Sequence, residues 1–175
     1  LGFNATTGDL LWNTTLPYML ISNGGVGYDK LFYPSSIDMR IHAFDVYTGK
    51  EMWQSDPAEA PWGAFWGYDM AVAYGKVYAE CYDGHVYCYD ANTGKTVWSY
   101  YSGDTTEGPY GTTPFYGDIS VADGKLYIGN TEHSSVPPYM KGRRMFCFDA
   151  NTGNLIWSIA GQYEAKPIAD GVLAS

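Results

Sequence analysis

Side chains able to do chemistry are sparse in this sequence and poorly grouped. The three histidines, His42, His85 and His133, lie far apart, without the spacing of metal ligands. His42 and His85 each fall in a run of alternating residues, where a packed or solvated imidazole is expected rather than a ligand. The three cysteines are Cys81, Cys88 and Cys147. Their odd number, with neither a disulfide framework nor a zinc spacing, points to free structural thiols. A two-residue turn at Asp83-Gly84 would set Cys81 opposite Val86 rather than Cys88. No His-Glu-x-x-His, no Gly-x-Ser-x-Gly and no Walker-type phosphate loop occurs. Motifs therefore assign no catalytic, cofactor-binding or metal residue.

Three longer segments carry the remaining candidates. Pro61 to Asp69 and Pro109 to Asp118 align as Pro, aromatic, Gly, then paired aromatics, Gly and Asp. One reading is a ligand pocket in which Trp62, Trp66, Tyr110 and Tyr116 stack on a sugar or a flat molecule, with Asp69 and Asp118 as polar contacts. The other is that these aromatics plug the central channel and pack as wedges between neighbouring repeats. The third segment, Asn130 to Arg144, is a locally basic insertion (Lys141, Arg143, Arg144) with Glu132 and His133 as its polar contacts. It reads either as a partner-binding loop or as a long turn over the rim. Two sequons, Asn4-Ala5-Thr6 and Asn13-Thr14-Thr15, are possible glycosylation sites and suit an exported protein.

The elements that must position these residues are repeats. One template recurs four times: Asp or Asn, two residues, Thr-Gly, three residues, Trp. The copies are Asn4 to Gly8 and Trp12; Asp45 to Gly49 and Trp53; Asp90 to Gly94 and Trp98; and Asp149 to Gly153 and Trp157. The Asx side chain caps a turn, and Gly supplies the positive φ that closes it. Alternating residues on both sides make each template a hairpin. A second hairpin precedes it, as in Met70 to Cys81 around Tyr74-Gly75, and Asp118 to Gly129 around Asp123-Gly124. Cys88 and Cys147 occupy one place in two copies, where a small apolar side chain is wanted. Four short antiparallel strands in about 40–45 residues is the signature of a propeller blade. The fold expected is all-β, a β-propeller of four-stranded antiparallel blades. Blades are expected at 24–56, 68–101 and 117–160, with half blades at 1–16 and 165–175, in a single domain or a fragment of one.

Lys125-Leu-Tyr after Asp123-Gly124, and Tyr87-Cys-Tyr-Asp-Ala-Asn-Thr-Gly-Lys-Thr-Val-Trp98, resemble the repeat of pyrroloquinoline-quinone (PQQ) enzymes and their non-catalytic relatives. The resemblance covers nearly the whole chain. It implies a propeller that closes with about seven or eight blades, so that this chain is a fragment. Alternatively the half blades complete each other, within one chain or by self-association of two. Catalytic members hold PQQ with calcium or a lanthanide, a carboxylate base and an adjacent Cys-Cys disulfide; no Cys-Cys pair occurs here. The resemblance thus implies the non-catalytic branch, without a cofactor, and the aromatic segments and insertion look like archaeal secreted propellers. The leading function expected is an extracellular or cell-surface scaffold or recognition module for a protein partner or glycan. The alternatives are a fragment of a PQQ-dependent dehydrogenase, with PQQ and calcium, and a carbohydrate-binding propeller.

A net charge of −9 with ten Lys and Arg excludes a nucleic-acid role. No membrane span or signal segment is visible, so membrane association would need segments absent here. The template tryptophans Trp53, Trp98 and Trp157 are expected to be buried against an adjacent blade, and Trp12 to matter less.

Overall fold

A computed structural model describes residues 1–15, 24–58, 70–103, 115, 119–130, 144–161, 168–169 and 171–173. Every regular element among them is a β-strand. Strands β3 (Gly25–Gly27), β4 (Lys30–Pro34), β5 (Ile41–Asp45) and β6 (Glu51–Gln54) form one antiparallel sheet in that order. Strands β7 (Met70–Ala73), β8 (Lys76–Glu80), β9 (His85–Asp90) and β10 (Thr96–Tyr101) form the next. Strands β11 (Ser120–Ala122), β12 (Lys125–Asn130), β13 (Arg144–Asp149) and β14 (Leu155–Ala160) form the third. Two-stranded sheets flank them: β1 (Gly2–Phe3) with β2 (Leu10–Trp12), and β15 (Ile168–Ala169) with β16 (Val172–Leu173). This is the blade arrangement of a propeller.

Local chemistry sets the turns. The first two strands of each blade are joined at Tyr28-Asp29, Tyr74-Gly75 or Asp123-Gly124, where both residues have positive φ, between 50° and 71°. Two left-handed residues make a type I′ turn, whose twist matches that of the strands it joins. The last two strands are joined by the template. In its third copy, Asp90 Oδ1 accepts hydrogen bonds from Asn92 N (3.0 Å), Thr93 N (2.8 Å) and Thr93 Oγ1 (2.9 Å). Gly94 closes the turn at φ 71° and donates to Asp90 O. The hydroxyl and amide of Thr93, with the amide of Asn92, hold the Asp90 carboxyl below its ordinary pKa, and Asp45 and Asp149 are lowered by the corresponding contacts to Thr48 and Thr152.

The template hides one feature. In all four copies the residue before the tryptophan is a β-bulge. Ladder partners step from Thr96 to Trp98 opposite Tyr89 and Cys88, leaving Val97 extra. Met52, Ile156 and Leu11 are the extra residues of the other sheets. A bulge re-aims the side chain that follows it. Here it turns Trp over the neighbouring strand, opposite Gly2, Ala43, Cys88 or Cys147, which explains why those places take small residues.

Trp12, Trp53 and Trp98 each land on the next blade's template turn. An added Cβ on Gly49, Gly94 or Gly153 would lie 2.4–2.6 Å from Trp12, Trp53 or Trp98, so only glycine admits the ring. The indole N–H donates to Val46 O (3.0 Å), Ala91 O (3.2 Å) or Ala150 O (3.1 Å). Around these joints lie two apolar clusters of described residues. One holds Phe32, Ile41, Val77 and Tyr89; the other holds Tyr78, Val86, Leu126 and Phe148. Polar ties repeat beside them. Lys30 Nζ and Lys76 Nζ reach Asn92 and Asn151, and the Tyr28 and Tyr74 hydroxyls accept from Gly75 N and Gly124 N of the following blade.

Two expectations are corrected. Trp98 is 8% exposed, but Trp157 is 36% exposed, whereas Trp12 is docked on Gly49. The contact always runs forward to the next template turn, and no such turn follows Trp157 among the described residues. The Asp83 hairpin has three loop residues, because Glu80 pairs with Val86 and Cys81 N donates to His85 O. Cys81 therefore faces His85, with Gly84 at φ 85° closing the loop.

Candidate functional site

The two ends of the strands differ in chemistry. One end is built from type I′ and template turns, nearly the same in every blade. The other end carries the links from second to third strand and the exits toward the next blade. Among the described residues, six of the seven buried polar ones, Ser35, His42, Ser55, Glu80, Asp83 and Asn130, lie at or beside this second end; Lys30 does not.

Three constellations form there. In the first blade His42 is fully buried between two carboxylates, Nδ1 2.7 Å from Glu51 and Nε2 3.0 Å from Asp38. Burial pushes the Asp38 carboxyl up, but Ser35 and His42 outweigh it and leave it below its usual value. Arg40 donates to Ser55 O beside this group. In the second blade Asp83 accepts from Tyr87 Oη (2.6 Å) and His85 N (2.8 Å), with His85 Nδ1 at 3.3 Å. Burial again pushes its carboxyl up, and the His85 and Tyr87 contacts bring it below normal. The His85 ring stacks between Tyr87 at 5.3 Å and Tyr101 at 4.8 Å. In the third blade Asn130 Oδ1 accepts from Arg144 N (2.8 Å), while its buried Nδ2 has no hydrogen-bond partner among the described residues. Arg144 Nη2 reaches Ser158 Oγ (2.9 Å), and Phe115 bridges to Asn130.

The pocket residues Trp62, Trp66, Asp69, Tyr110, Tyr116, Asp118, Glu132 and His133 lie outside the described residues. The strands flanking their segments end at this same polar end: β6 and β7, β10 and β11, β12 and β13. Of the sequon asparagines, Asn13 is exposed, while Asn4 Oδ1 caps its own turn through Thr6 N (2.8 Å) and Thr7 N (3.1 Å). Of the template residues, Asp45, Gly49, Asp90, Gly94, Asp149 and Gly153 form turns and Trp53 and Trp98 form joints, while Trp157 packs on Tyr127 of its own blade. Cys81, Cys88 and Cys147 are buried free thiols. Burial pushes Cys88 up to about 12 and Cys81 well above its normal value, so neither is a ready nucleophile.

Glu80, Asp83, Asn130 and the Asp38–His42–Glu51 group were not singled out from sequence. Glu80 carried a signal, a charge closing the buried run Val77-Tyr78-Ala79. Asp83 did not, because Asp-Gly reads as turn chemistry alone.

Comparison with known proteins places this architecture. A family model described as outer membrane protein assembly factor BamB, of the PQQ-repeat class, matches residues 1–131. The chain belongs to this family. It is 35% identical over 136 residues to the quinohemoprotein alcohol dehydrogenase ADH IIB of Pseudomonas putida, covering 74% of this chain and 19% of that protein. The crystal structure of quinohemoprotein alcohol dehydrogenase from Comamonas testosteroni matches with a TM-score of 0.65 and 27% identity, over 81% of this chain and 21% of that one. BamB from Moraxella catarrhalis matches in fold, with a TM-score of 0.63 and 17% identity over 90% of this chain and 41% of that one. The chain thus spans about a fifth of the length of the curated dehydrogenases it resembles. Among the described residues no three His, Cys, Asp or Glu side chains converge as metal ligands.

Proposed function

We propose that this PQQ-repeat propeller works as a non-enzymatic recognition scaffold, exported to the cell surface or beyond. The observation that supports this most is the polarity of its blades. One end repeats the same turn and joint chemistry in every blade, as rigidity requires. The other end varies from blade to blade and gathers the buried polar groups and the three longest links. Variable loops on a repeated frame suit binding. The ligand class is a protein surface or a glycan, met by the aromatic residues Trp62, Trp66, Tyr110 and Tyr116. The exposed sequon at Asn13 supports export and glycosylation, and the aromatic segments support kinship with archaeal secreted propellers. On a glycan array, Trp66→Ala should weaken binding with the melting temperature unchanged. Turnover of any substrate abolished by Asp69→Ala would refute the non-enzymatic reading.

A second reading is favoured by the 35% identity to a quinohemoprotein alcohol dehydrogenase. In it these blades are part of a larger enzyme whose quinone and calcium ligands lie beyond the described residues. PQQ with calcium added to the full-length protein should then give a spectral shift and alcohol-dependent dye reduction; neither is expected of a scaffold.

A further inference from the structure

The oxidisable side chains of the interior differ in what their protons touch. The indoles of Trp53 and Trp98 donate to the peptide oxygens of Ala91 and Ala150, and the Tyr78 phenol donates to Ala150 O at 3.0 Å. The Tyr89 phenol meets the Ser55 hydroxyl. Peptide and hydroxyl oxygens hold a hydrogen bond but are no bases at ordinary pH. Tyr87 is different. It is 7% exposed, and its phenol donates to Asp83 Oδ2 at 2.6 Å, the length of a charge-assisted O–H···O⁻ bond. Burial pushes the Asp83 carboxyl up, but His85 and Tyr87 outweigh it and keep Asp83 an anion at neutral pH. Rings stack on Tyr87 in both directions. Inward lies Tyr89 at 5.9 Å and 12°, in the cluster that holds Phe32 and Cys81 and packs against Trp53. Outward lies His85 at 5.3 Å, then Tyr101 at 4.8 Å from His85 and its ladder partner across β9 and β10. Tyr101 is 43% exposed, so a row of four rings leads from the dry core to water at the polar end of the second blade.

We propose that Tyr87 is a one-electron oxidation site, a sink that collects oxidising equivalents from the interior and discharges them at Tyr101. A phenol that loses an electron becomes strongly acidic, and a bare radical cation in a dry site would carry the cost of an unpaired buried charge. Electron and proton therefore leave together. The electron goes to the oxidant, a one-electron acceptor of the metal-complex or oxygen-radical class. The phenol O–H bond breaks, and its proton passes to Asp83 Oδ2. The products are a neutral phenoxyl and a neutral carboxylic acid. Tyr101 then gives an electron across His85 to the Tyr87 phenoxyl, which takes its proton back from Asp83, while the proton of Tyr101 goes to water. An external one-electron reductant of the ascorbate or thiol class ends the Tyr101 phenoxyl. The group this spares is Cys81, a buried thiol of the same cluster that also reaches Asp83. Its oxidation would place a polar sulfur acid in packed apolar surroundings.

The test oxidises the full-length protein with photogenerated tris(bipyridine)ruthenium(III). Tyrosyl radical is read by electron paramagnetic resonance after a pulse of ascorbate that clears radicals from exposed tyrosines, with ring-deuterated tyrosine to identify the signal. With Tyr101 present the pulse should clear everything. In Tyr101→Phe the exit is closed, and a radical should survive the pulse, formed more slowly in heavy water because the proton moves with the electron. Adding Tyr87→Phe or Asp83→Asn to Tyr101→Phe should abolish it; Tyr87→Phe keeps the test decisive if Asp83→Asn fails to fold. Without ascorbate, mass spectrometry should find dityrosine at Tyr101 and Cys81 still a thiol. Tyr87→Phe alone should shift the damage to Cys81 and Trp53. No ascorbate-resistant radical in Tyr101→Phe, one that survives Tyr87→Phe, equal rates in heavy and light water, or Cys81 oxidation unchanged by Tyr87→Phe would each overturn the proposal.

Discussion

Trp98 and Trp157 hold the same template place in surroundings that differ by one thing, the next blade. Trp98→Ala should cost about 3–5 kcal/mol in chemical denaturation, the range for a large aromatic removed from a packed site. Trp157→Ala should cost about 1 kcal/mol or less, and Trp12→Ala more than that. The glycines allow a matched comparison. Gly153 and Gly124 share a φ near 70°, but a Cβ at Gly124 meets open space while one at Gly153 meets Trp98 at 2.6 Å. Gly124→Ala should therefore cost about 1 kcal/mol of backbone strain, and Gly153→Ala clearly more, read as the loss of melting temperature. Asp83 predicts a pH effect. Its folded carboxyl lies below the ordinary value, so its contribution is fully present above about pH 4 and is lost as pH falls through the lowered pKa. Asp83→Asn should lower stability near neutrality by about 1–3 kcal/mol and make the acid decline of melting temperature shallower. The tryptophan contacts were half legible: repetition announced a joint, but nothing in one template told which neighbour it reaches. In a glycosylating host, a peptide-N-glycosidase shift should disappear with Asn13→Gln and survive Asn4→Gln, because Asn4 is already committed to its turn.

At the scale of the element, the bulge decides where the blade's outer strand points its tryptophan. Leu11, Met52, Val97 and Ile156 are the extra residues, each 45–54% exposed. Apolar side chains at these places interrupt an otherwise flat, uncharged edge such as Thr96 to Tyr101, which is how a bulge blunts unwanted pairing. Deleting Val97 should restore a regular ladder with Trp98 still opposite Cys88 but without the bulge's local bend and twist, weakening the fit of Trp98 on Gly153 and lowering the melting temperature, with increased thioflavin-positive aggregation of the flattened edge as the second readout. The sequence could not disclose the bulge, since four copies of identical spacing look the same whether or not one residue is unpaired. The I′ turns, by contrast, were readable at Tyr74-Gly75 and Asp123-Gly124. The loop at Asp83 was misread by one residue because Asp-Gly serves two- and three-residue hairpins alike.

At the scale of the molecule, stability is a chain of nearest-neighbour joints rather than one core. Two clusters of buried residues lie at the joints on either side of β7–β10, so that blade is supported from both sides. Hydrogen exchange should find the amides of β8 and β9 the slowest, and those of β1, β2 and β14 the fastest. The architecture was legible from repetition alone. The polar end was not, since Glu80, Asp83, Asn130 and His42 sit at unrelated template places and acquire a common location only when the blades stack.

The forward reach of the tryptophans also gives the molecule a sense of time. A ribosome makes Trp12 before Gly49, Trp53 before Gly94 and Trp98 before Gly153. Every nascent blade therefore leaves the exit tunnel with its largest ring uncovered and is completed only by the one synthesised after it. Assembly is then a relay in which a single tacky surface moves toward the most recent residues, and translation pausing just before a template would lengthen the interval in which that surface meets strangers.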